Sequence, residues 1–149
     1  MPRRMNDVMV REGLAYLALG RDGLVILDVG QGVRGGSPAA PRMVSQLVPS
    51  PLDDATREAP AIAQAVLRHG RYVFLADGPA AAAADARVLV MDAGNVLRPL
   101  VVAEIRFPEA GTMRLWAEDD TLYIGHGDGK VRAVDVSGEL RGDLVRQGR

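Results

Sequence analysis

The sequence predicts an all-β protein built from three copies of one four-stranded antiparallel unit. Residues 8–29 match residues 115–136 position by position, at a constant offset of 107 and without a gap. A looser third copy lies between them, where residues 74–76 match residues 16–18, and this copy is expected to carry one extra residue near Arg71. Self-similarity of this kind is typical of repeat folds, in which each unit contributes one supersecondary element.

The first unit divides into four short apolar segments, which we call strands a, b, c and d. They are rich in Val, Ile, Leu and Tyr and are separated by Gly, Asp and Pro, a pattern typical of a β-meander. Their expected ranges are 7–11, 15–19, 24–29 and 42–47. The sequence Gly-Arg-Asp-Gly at 20–23 predicts a tight hairpin between strands b and c, because glycine adopts positive φ at little cost.

The other two units repeat this order. We expect strands of the second unit at 65–68, 72–76, 87–93 and 100–105, and of the third at 114–118, 122–125 and 131–136, with a weak fourth strand near Leu144. The units span approximately 6–48, 61–106 and 112–146, within a single repeat domain of residues 1–149. The alanines of residues 58–67 favour a short helix as an alternative, whereas the repeat pattern assigns the second half of this segment to strand a.

Composition excludes several classes of protein. The 149 residues include 18 basic and 19 acidic side chains, so the chain has no basic excess for binding nucleic acid. It has no cysteine and only two histidines, which argues against disulfides, thiolate zinc sites and multi-histidine metal sites. We therefore expect no metal and no cofactor. No apolar segment approaches the ~20 residues that a membrane-spanning helix needs.

The N-terminal residues contain no signal peptide as written. Asn6 and Asp7 follow soon after the basic pair at residues 3–4, and no apolar segment intervenes. This favours a cytoplasmic protein, unless the true N-terminus is missing.

Three segments at strand c resemble the core of a known repeat family. Residues 23–29, Gly-Leu-Val-Ile-Leu-Asp-Val, closely resemble the LVIVD repeat, residues 88–92 resemble it moderately, and residues 131–136 form a degenerate copy. The resemblance extends over roughly residues 6–145. It implies a β-propeller with one four-stranded blade per unit. It also implies a mostly uncharacterised family of bacterial surface or secreted proteins, without a shared catalytic motif, and thus an extracellular location if the N-terminus is incomplete.

The number of units raises a physical difficulty for a propeller. Propellers usually close with about 4–8 blades, so three blades leave two sheet faces uncovered. We therefore expect that two chains close a six-bladed ring, or that the chain is part of a longer one. A β-trefoil is the alternative, since it also contains three four-stranded units. The unequal spacing of Asp28, Asp92 and Asp135 argues against it.

These three aspartates each end a strand c. Aspartate at this position commonly accepts hydrogen bonds from the backbone of the turn that follows, so we interpret Asp28, Asp92 and Asp135 as structural turn residues. A shared cation site is the alternative interpretation.

Candidate binding residues cluster at one end of the units. In a meander the b–c and d–a connections lie at the same end, and the longest insertions, residues 79–85 and 48–60, fall there, opposite the c–d link at 30–40. Long loops on one face of a rigid scaffold commonly bind ligands. The polar residues in or beside the b–c connections are Asp22, Asp77, Asp85, Arg87, His126, Asp128 and Lys130. Their mixed charges favour a polar ligand or a protein partner over a polyanion.

Two features near this end have plainer interpretations. The glycines of residues 125–130 are typical of a hairpin and not of a phosphate-binding loop, because Lys130 leads into a strand and not a helix. Trp116 belongs to strand a of the third unit, next to the expected axis, and we expect it to pack in the core.

The sequence favours a non-catalytic module for protein or ligand binding or for assembly. The alternative is a propeller enzyme with its site at the mouth of the axial channel, for which two histidines are a poor supply of catalytic groups. A purely structural repeat is a third interpretation.

Overall fold

A computed structural model of the chain describes residues 5–30, 32–48, 63–77, 86–107, 113–126 and 129–136. Within these ranges the secondary structure consists of β-strands without a helix, and the strands form three antiparallel sheets. The prediction of an all-β fold is therefore confirmed.

The first sheet comprises β1 Asp7–Arg11, β2 Leu14–Ala18, β3 Leu24–Asp28 and β4 Arg42–Leu47, paired in chain order. Its β1–β2 turn has two residues, Glu12 and Gly13, with φ of 52° and 77°. Two positive φ angles match the right-handed twist of a hairpin, and glycine adopts one of them without a steric penalty.

The other two sheets repeat this meander. The second comprises β5 Ala63–His69, β6 Tyr72–Asp77, β7 Ala86–Asp92 and β8 Leu100–Phe107, and the third comprises β9 Met113–Glu118, β10 Thr121–His126 and β11 Val131–Asp135. Each strand expected within the described residues is present, with ends that differ by one or two residues. The strand interpretation of 63–67 is confirmed over the helical one. The fourth strand near Leu144 and the insertion at 79–85 lie outside the described residues.

Each sheet is built from consecutive strands, which distinguishes the fold from a β-trefoil. A trefoil pairs strands of different units in a common barrel. Here the ladders of the described residues pair strands only within one unit, and the isolated β-bridge between units links Gly20 of the first sheet to Ala63 of the second. The fold is that of a partial β-propeller, and we call the three sheets blades 1, 2 and 3.

The duplication extends to backbone irregularities. Blade 1 shifts its β3–β4 register between Ile26 and Leu27, and blade 2 shifts its β7–β8 register at the equivalent step, between Val90 and Met91. The extra residue expected near Arg71 is wrong, because the β5–β6 turn has two residues like the β1–β2 turn.

The first strands of the blades lie side by side, with β5 in contact with both β1 and β9. Asp7 Oδ2 accepts a hydrogen bond from Val66 N at 3.0 Å, and Arg11 Nη1 donates to Arg68 O at 3.3 Å. The residue numbers of the contacting pairs increase together along both strands, so β1 and β5 run in the same direction. Their β1–β2 and β5–β6 turns therefore lie at one end of the blades.

One backbone hydrogen bond recurs in all three blades. The residue that follows the third strand donates to the second residue of the first turn, at 2.8–2.9 Å. The donor–acceptor pairs are Val29 with Gly13, Ala93 with Arg71, and Val136 with Asp120. The link from the third to the fourth strand thus lies at the same end as the first turn, and the b–c connections lie at the opposite end, as the repeat pattern predicts.

The core consists of two clusters, each buried between neighbouring blades. One packs Tyr16, Leu24 and Ile26 of blade 1 against blade 2, and the other packs the opposite face of blade 2, including Phe74 and Val90, against blade 3. Blade 2 is therefore covered on both faces. This explains why its third strand is an uninterrupted apolar run in the sequence, since side chains of alternating direction are all buried.

Candidate functional site

A buried ion triad lies at the b–c end of blade 2. Arg87 Nε donates to Asp77 Oδ2 at 2.6 Å, and Arg87 Nη1 donates to Glu104 Oε2 at 2.9 Å. All three side chains are almost entirely buried. Asp77 ends β6 and pairs across the sheet with Arg87 near the start of β7, so the triad joins the two strands at the base of the insertion between them.

Asp77 and Arg87 thus lie at the b–c end, where the sequence analysis places them, but their side chains are buried. Glu104 makes burial of Arg87 tolerable, because a charge taken out of water needs an opposite charge with good geometry. Glu104 was missed in the sequence, although its place after four consecutive apolar residues of β8 and before Ile105 is a signal for a buried ionic group. Arg87 Nη2 is also buried and has no hydrogen-bond partner among the described residues.

The triad is specific to blade 2. The positions of Asp77 and Arg87 are occupied in blade 1 by Leu19 and Gly23, and in blade 3 by His126 and Lys130. An ion pair at this site is therefore an addition to the repeat and not part of its common fold.

The remaining candidate binding residues are spread along the b–c end. Asp22 lies in the turn of blade 1, where its carbonyl oxygen accepts a hydrogen bond from Gln46 Nε2 at 3.0 Å. His126 ends β10 and Lys130 is exposed just before β11. Asp85 and Asp128 lie outside the described residues. Within the part of the chain that the structure describes, no group of three or more His, Asp or Glu side chains is arranged to hold a metal ion.

Asp28 organises the link that follows the third strand of blade 1. Its carboxylate accepts backbone hydrogen bonds from Gly30 at 3.0 Å, Gly32 at 3.1 Å and Arg34 at 2.6 Å. The bond from Arg34, followed by those from Gly30, Gly32 and Gly36, lowers the pKa of Asp28 from 3.8 to about 2. Backbone N–H groups aimed at one carboxylate favour its charged form.

The equivalent aspartates make different contacts. Asp92 accepts from Arg71 Nε at 3.1 Å and Nη2 at 2.5 Å, and from Gly94 N at 2.9 Å. The bonds from Arg71 hold the pKa of Asp92 below its usual value. Asp135 is exposed. In blades 1 and 2 the aspartate at this position therefore accepts a backbone hydrogen bond from the residue two positions later, Gly30 or Gly94.

The Asp28 carboxylate predicts a pH-dependent loss of stability. Its pKa is lower in the folded chain than in the unfolded chain, so its contribution is complete above pH ~4 and disappears as the pH falls through about 2. We expect Asp28→Asn to lower Tm by roughly 5 °C at pH 7 and by much less at pH 2. Thermal melts across this range test this, with Asp120→Asn, at an exposed aspartate, as the matched control. A gap between wild type and Asp28→Asn that stays constant with pH contradicts it.

The outward face of blade 3 exposes large apolar side chains. Trp116, Tyr123 and Val131 are 65%, 38% and 67% exposed. Trp116 pairs with Tyr123, so their side chains lie on one face of the sheet. The expectation that Trp116 packs in the core is wrong, because the chain provides no following blade to cover this face among the described residues.

The outward face of blade 1 is also apolar. Val8, Val10 and Met43 are exposed on it, and Leu17 and Leu27 lie between them at intermediate burial. The cross-strand pairs Val8 with Leu17 and Leu27 with Met43 place these side chains on a common face. The partial propeller therefore has an apolar sheet face at each end.

The described residues form no helix long and apolar enough to span a membrane. No curated protein sequence matches the chain. Among solved structures, the chain is similar to the crystal structure of the computationally designed Ika4 protein, with a TM-score of 0.41 and 10% identity over 92% of this chain and 94% of that one.

The sequence model of the LVIVD repeat matches residues 2–47. This segment includes the four strands of blade 1 and the strand-c motif at 23–29. The first blade of this chain therefore matches the LVIVD repeat, as the sequence resemblance indicates.

Proposed function

We propose that the chain is a non-catalytic β-propeller repeat module that assembles with protein through the outward faces of its end blades. The observation that carries the proposal is the exposure of Trp116, Val131 and Val10, which are 65%, 67% and 61% exposed. Scattered exposed apolar residues are ordinary, but aromatic and aliphatic side chains grouped on one sheet face favour burial against a partner.

The chemistry of these faces favours a protein partner. In β9, the exposed residues Arg114 and Glu118 lie on either side of Trp116. An apolar centre with charged residues at its margin is typical of protein–protein interfaces, in which tryptophan and tyrosine contribute much of the binding energy. The chain's formal net charge of -1 gives no attraction for a polyanion.

In this proposal the buried charged groups at the b–c end of blade 2 have a structural role and do not bind a ligand. Asp77, Arg87 and Glu104 compensate one another inside blade 2, whereas Lys130 is exposed and Asp22 is partly exposed at the same end.

The single tryptophan of the chain makes the proposal measurable. We expect acrylamide quenching of Trp116 fluorescence to decrease as the purified chain is concentrated, because association covers the blade 3 face. Val131→Asp should weaken this association at least about tenfold, as for a central interface residue. Leu100→Asp changes an equally exposed leucine on blade 2 and is the control. Quenching that is independent of concentration and of Val131 contradicts the proposal.

A further inference from the structure

We propose that the partner of the end faces is a second copy of the chain, bound head to tail, so that two chains of three blades close a six-bladed ring. This inference rests on the proposed function, since it identifies the partner of the same faces.

Every joint inside the chain has the same polarity. We call the face of a blade that packs on the next blade its forward face, and the opposite face its rear face. In blade 1, Tyr16, Leu24 and Ile26 lie on the forward face and pack on blade 2, whose rear face presents Leu75 and Leu89. Blade 2 in turn packs its forward face on the rear face of blade 3. Each joint therefore combines one forward and one rear face.

The exposed face of blade 3 is a forward face. The side chains that are buried or partly buried at this face in blades 1 and 2 have apolar equivalents in blade 3, but these equivalents are exposed. In the order blade 1, blade 2 and blade 3, the equivalent residues are Met9, Leu67 and Trp116; Tyr16, Phe74 and Tyr123; Leu24, Val88 and Val131; and Ile26, Val90 and Ala133. Blade 3 thus retains the chemistry of a joint that the described part of the chain leaves uncovered.

The exposed face of blade 1 is a rear face. Its Val8, Leu17 and Leu27 are equivalent to Leu115, Ile124 and Val134, which blade 3 packs against blade 2. The exposed rear face of blade 1 is therefore complementary to the exposed forward face of blade 3, and neither face is complementary to a second copy of itself. In a second copy, the rear face of blade 1 can cover the forward face of blade 3. The forward face of its blade 3 can cover the rear face of blade 1.

The joint between blades 1 and 2 identifies which residues meet. Met9, on the forward face of β1, lies against the edge of β5, where Arg68 N donates to Met9 Sδ at 3.1 Å. Trp116 is the equivalent of Met9, and Val10 is the equivalent of Arg68. The same joint between two copies places Trp116 of one copy against Val10 of the other. Both side chains are among the most exposed apolar groups in the described residues.

The number of blades limits the assembly to two copies. Two copies give six blades, within the range of about 4–8 in which propellers close, whereas three copies give nine. A twofold ring contains two identical joints and leaves no end face open, which is the commonest symmetry of soluble oligomers. Contact between two forward faces would leave both rear faces exposed.

The absence of cysteine makes a crosslinking test clean. We expect the double variant Val10→Cys/Trp116→Cys to form a disulfide-linked dimer under mild oxidation, and a mixture of the two single variants to form the same dimer. Neither single variant alone should crosslink. Sedimentation equilibrium of the parent chain should give twice the chain mass of 15.9 kDa.

A charge pair tests the same contact by an independent route. Val10→Lys alone and Trp116→Glu alone should each dissociate the dimer at least about tenfold, and the double variant should regain much of the lost affinity, because the head-to-tail joint brings the two substituted positions together. Both residues are exposed, so circular dichroism melts should show little change in the fold of each chain.

The outcomes separate this inference from the proposed function. A dimer formed by homotypic Trp116→Cys crosslinks, or an open polymer, overturns the head-to-tail ring but leaves assembly through the end faces intact. A parent chain that stays monomeric, with Trp116 fully accessible to quencher, overturns both.

Discussion

Replacing Arg87 with methionine should destabilise the chain by about 3–5 kcal/mol. The substitution removes the cation that compensates Asp77 and Glu104, and it leaves two carboxylates buried in blade 2. Removing one partner of a buried ionic group costs this much because the remaining charge loses both water and its counterion. Urea unfolding followed by circular dichroism measures the change in the free energy of unfolding.

The matched control replaces the whole triad. The variant Asp77→Leu/Arg87→Met/Glu104→Leu leaves no unpaired charge and should be close to wild type in stability, or more stable by about 1–4 kcal/mol. A loss below about 1 kcal/mol for Arg87→Met alone would show that water reaches the triad. A large loss for the triple variant would show that the ionic contacts, and not charge compensation, stabilise this end of blade 2.

Replacing Gly36 with alanine should also be strongly destabilising, by roughly 2–4 kcal/mol. A Cβ atom on Gly36 would lie 1.9 Å from Asp28 O and 2.8 Å from Arg42 N. Both contacts involve backbone atoms of paired strands, so a side-chain rotation cannot relieve them. The segment that brings the chain from β3 to β4 would have to move, and with it the backbone N–H groups that surround the Asp28 carboxylate.

Gly32 provides the control within the same segment. Its Cβ would lie 3.9 Å from the two carboxylate oxygens of Asp28, an ordinary contact, and its φ needs no glycine. Gly32→Ala should therefore change the free energy of unfolding by no more than about 0.5 kcal/mol. Equal effects of Gly36→Ala and Gly32→Ala on the urea midpoint contradict the close approach of Gly36 to Asp28.

Local sequence was sufficient to predict the strands, because the apolar residues and the turn residues that define each strand lie within or next to its own segment. The glycines at 20 and 23 have positive φ in the b–c hairpin, as the sequence predicts. The duplicated unit also placed the b–c connections at one end. This inference succeeds because consecutive antiparallel strands fix the end at which each connection lies, whatever packs against the sheet.

The candidate site was less predictable, since its properties depend on contacts between strands and between blades. Asp77 and Arg87 look like surface residues beside an insertion, yet Glu104, 17 residues from Arg87, draws both into the interior. Trp116 looks like a core residue, yet it is exposed because its face has no following blade among the described residues. In both cases burial is decided by a neighbour that is remote in sequence.

The sequence by itself determined the repeat, the β-strands and the similarity of the first blade to the LVIVD repeat. These follow from side-chain alternation and turn chemistry, which act over a few residues. Only the tertiary structure decided which faces are covered. Tyr16 and Tyr123 occupy the same position of the repeat, but one is fully buried and the other is 38% exposed. The physical reason is that a side chain on a sheet face is buried only where the face of a second blade packs against it. The sequence of one blade does not say whether that second face is present.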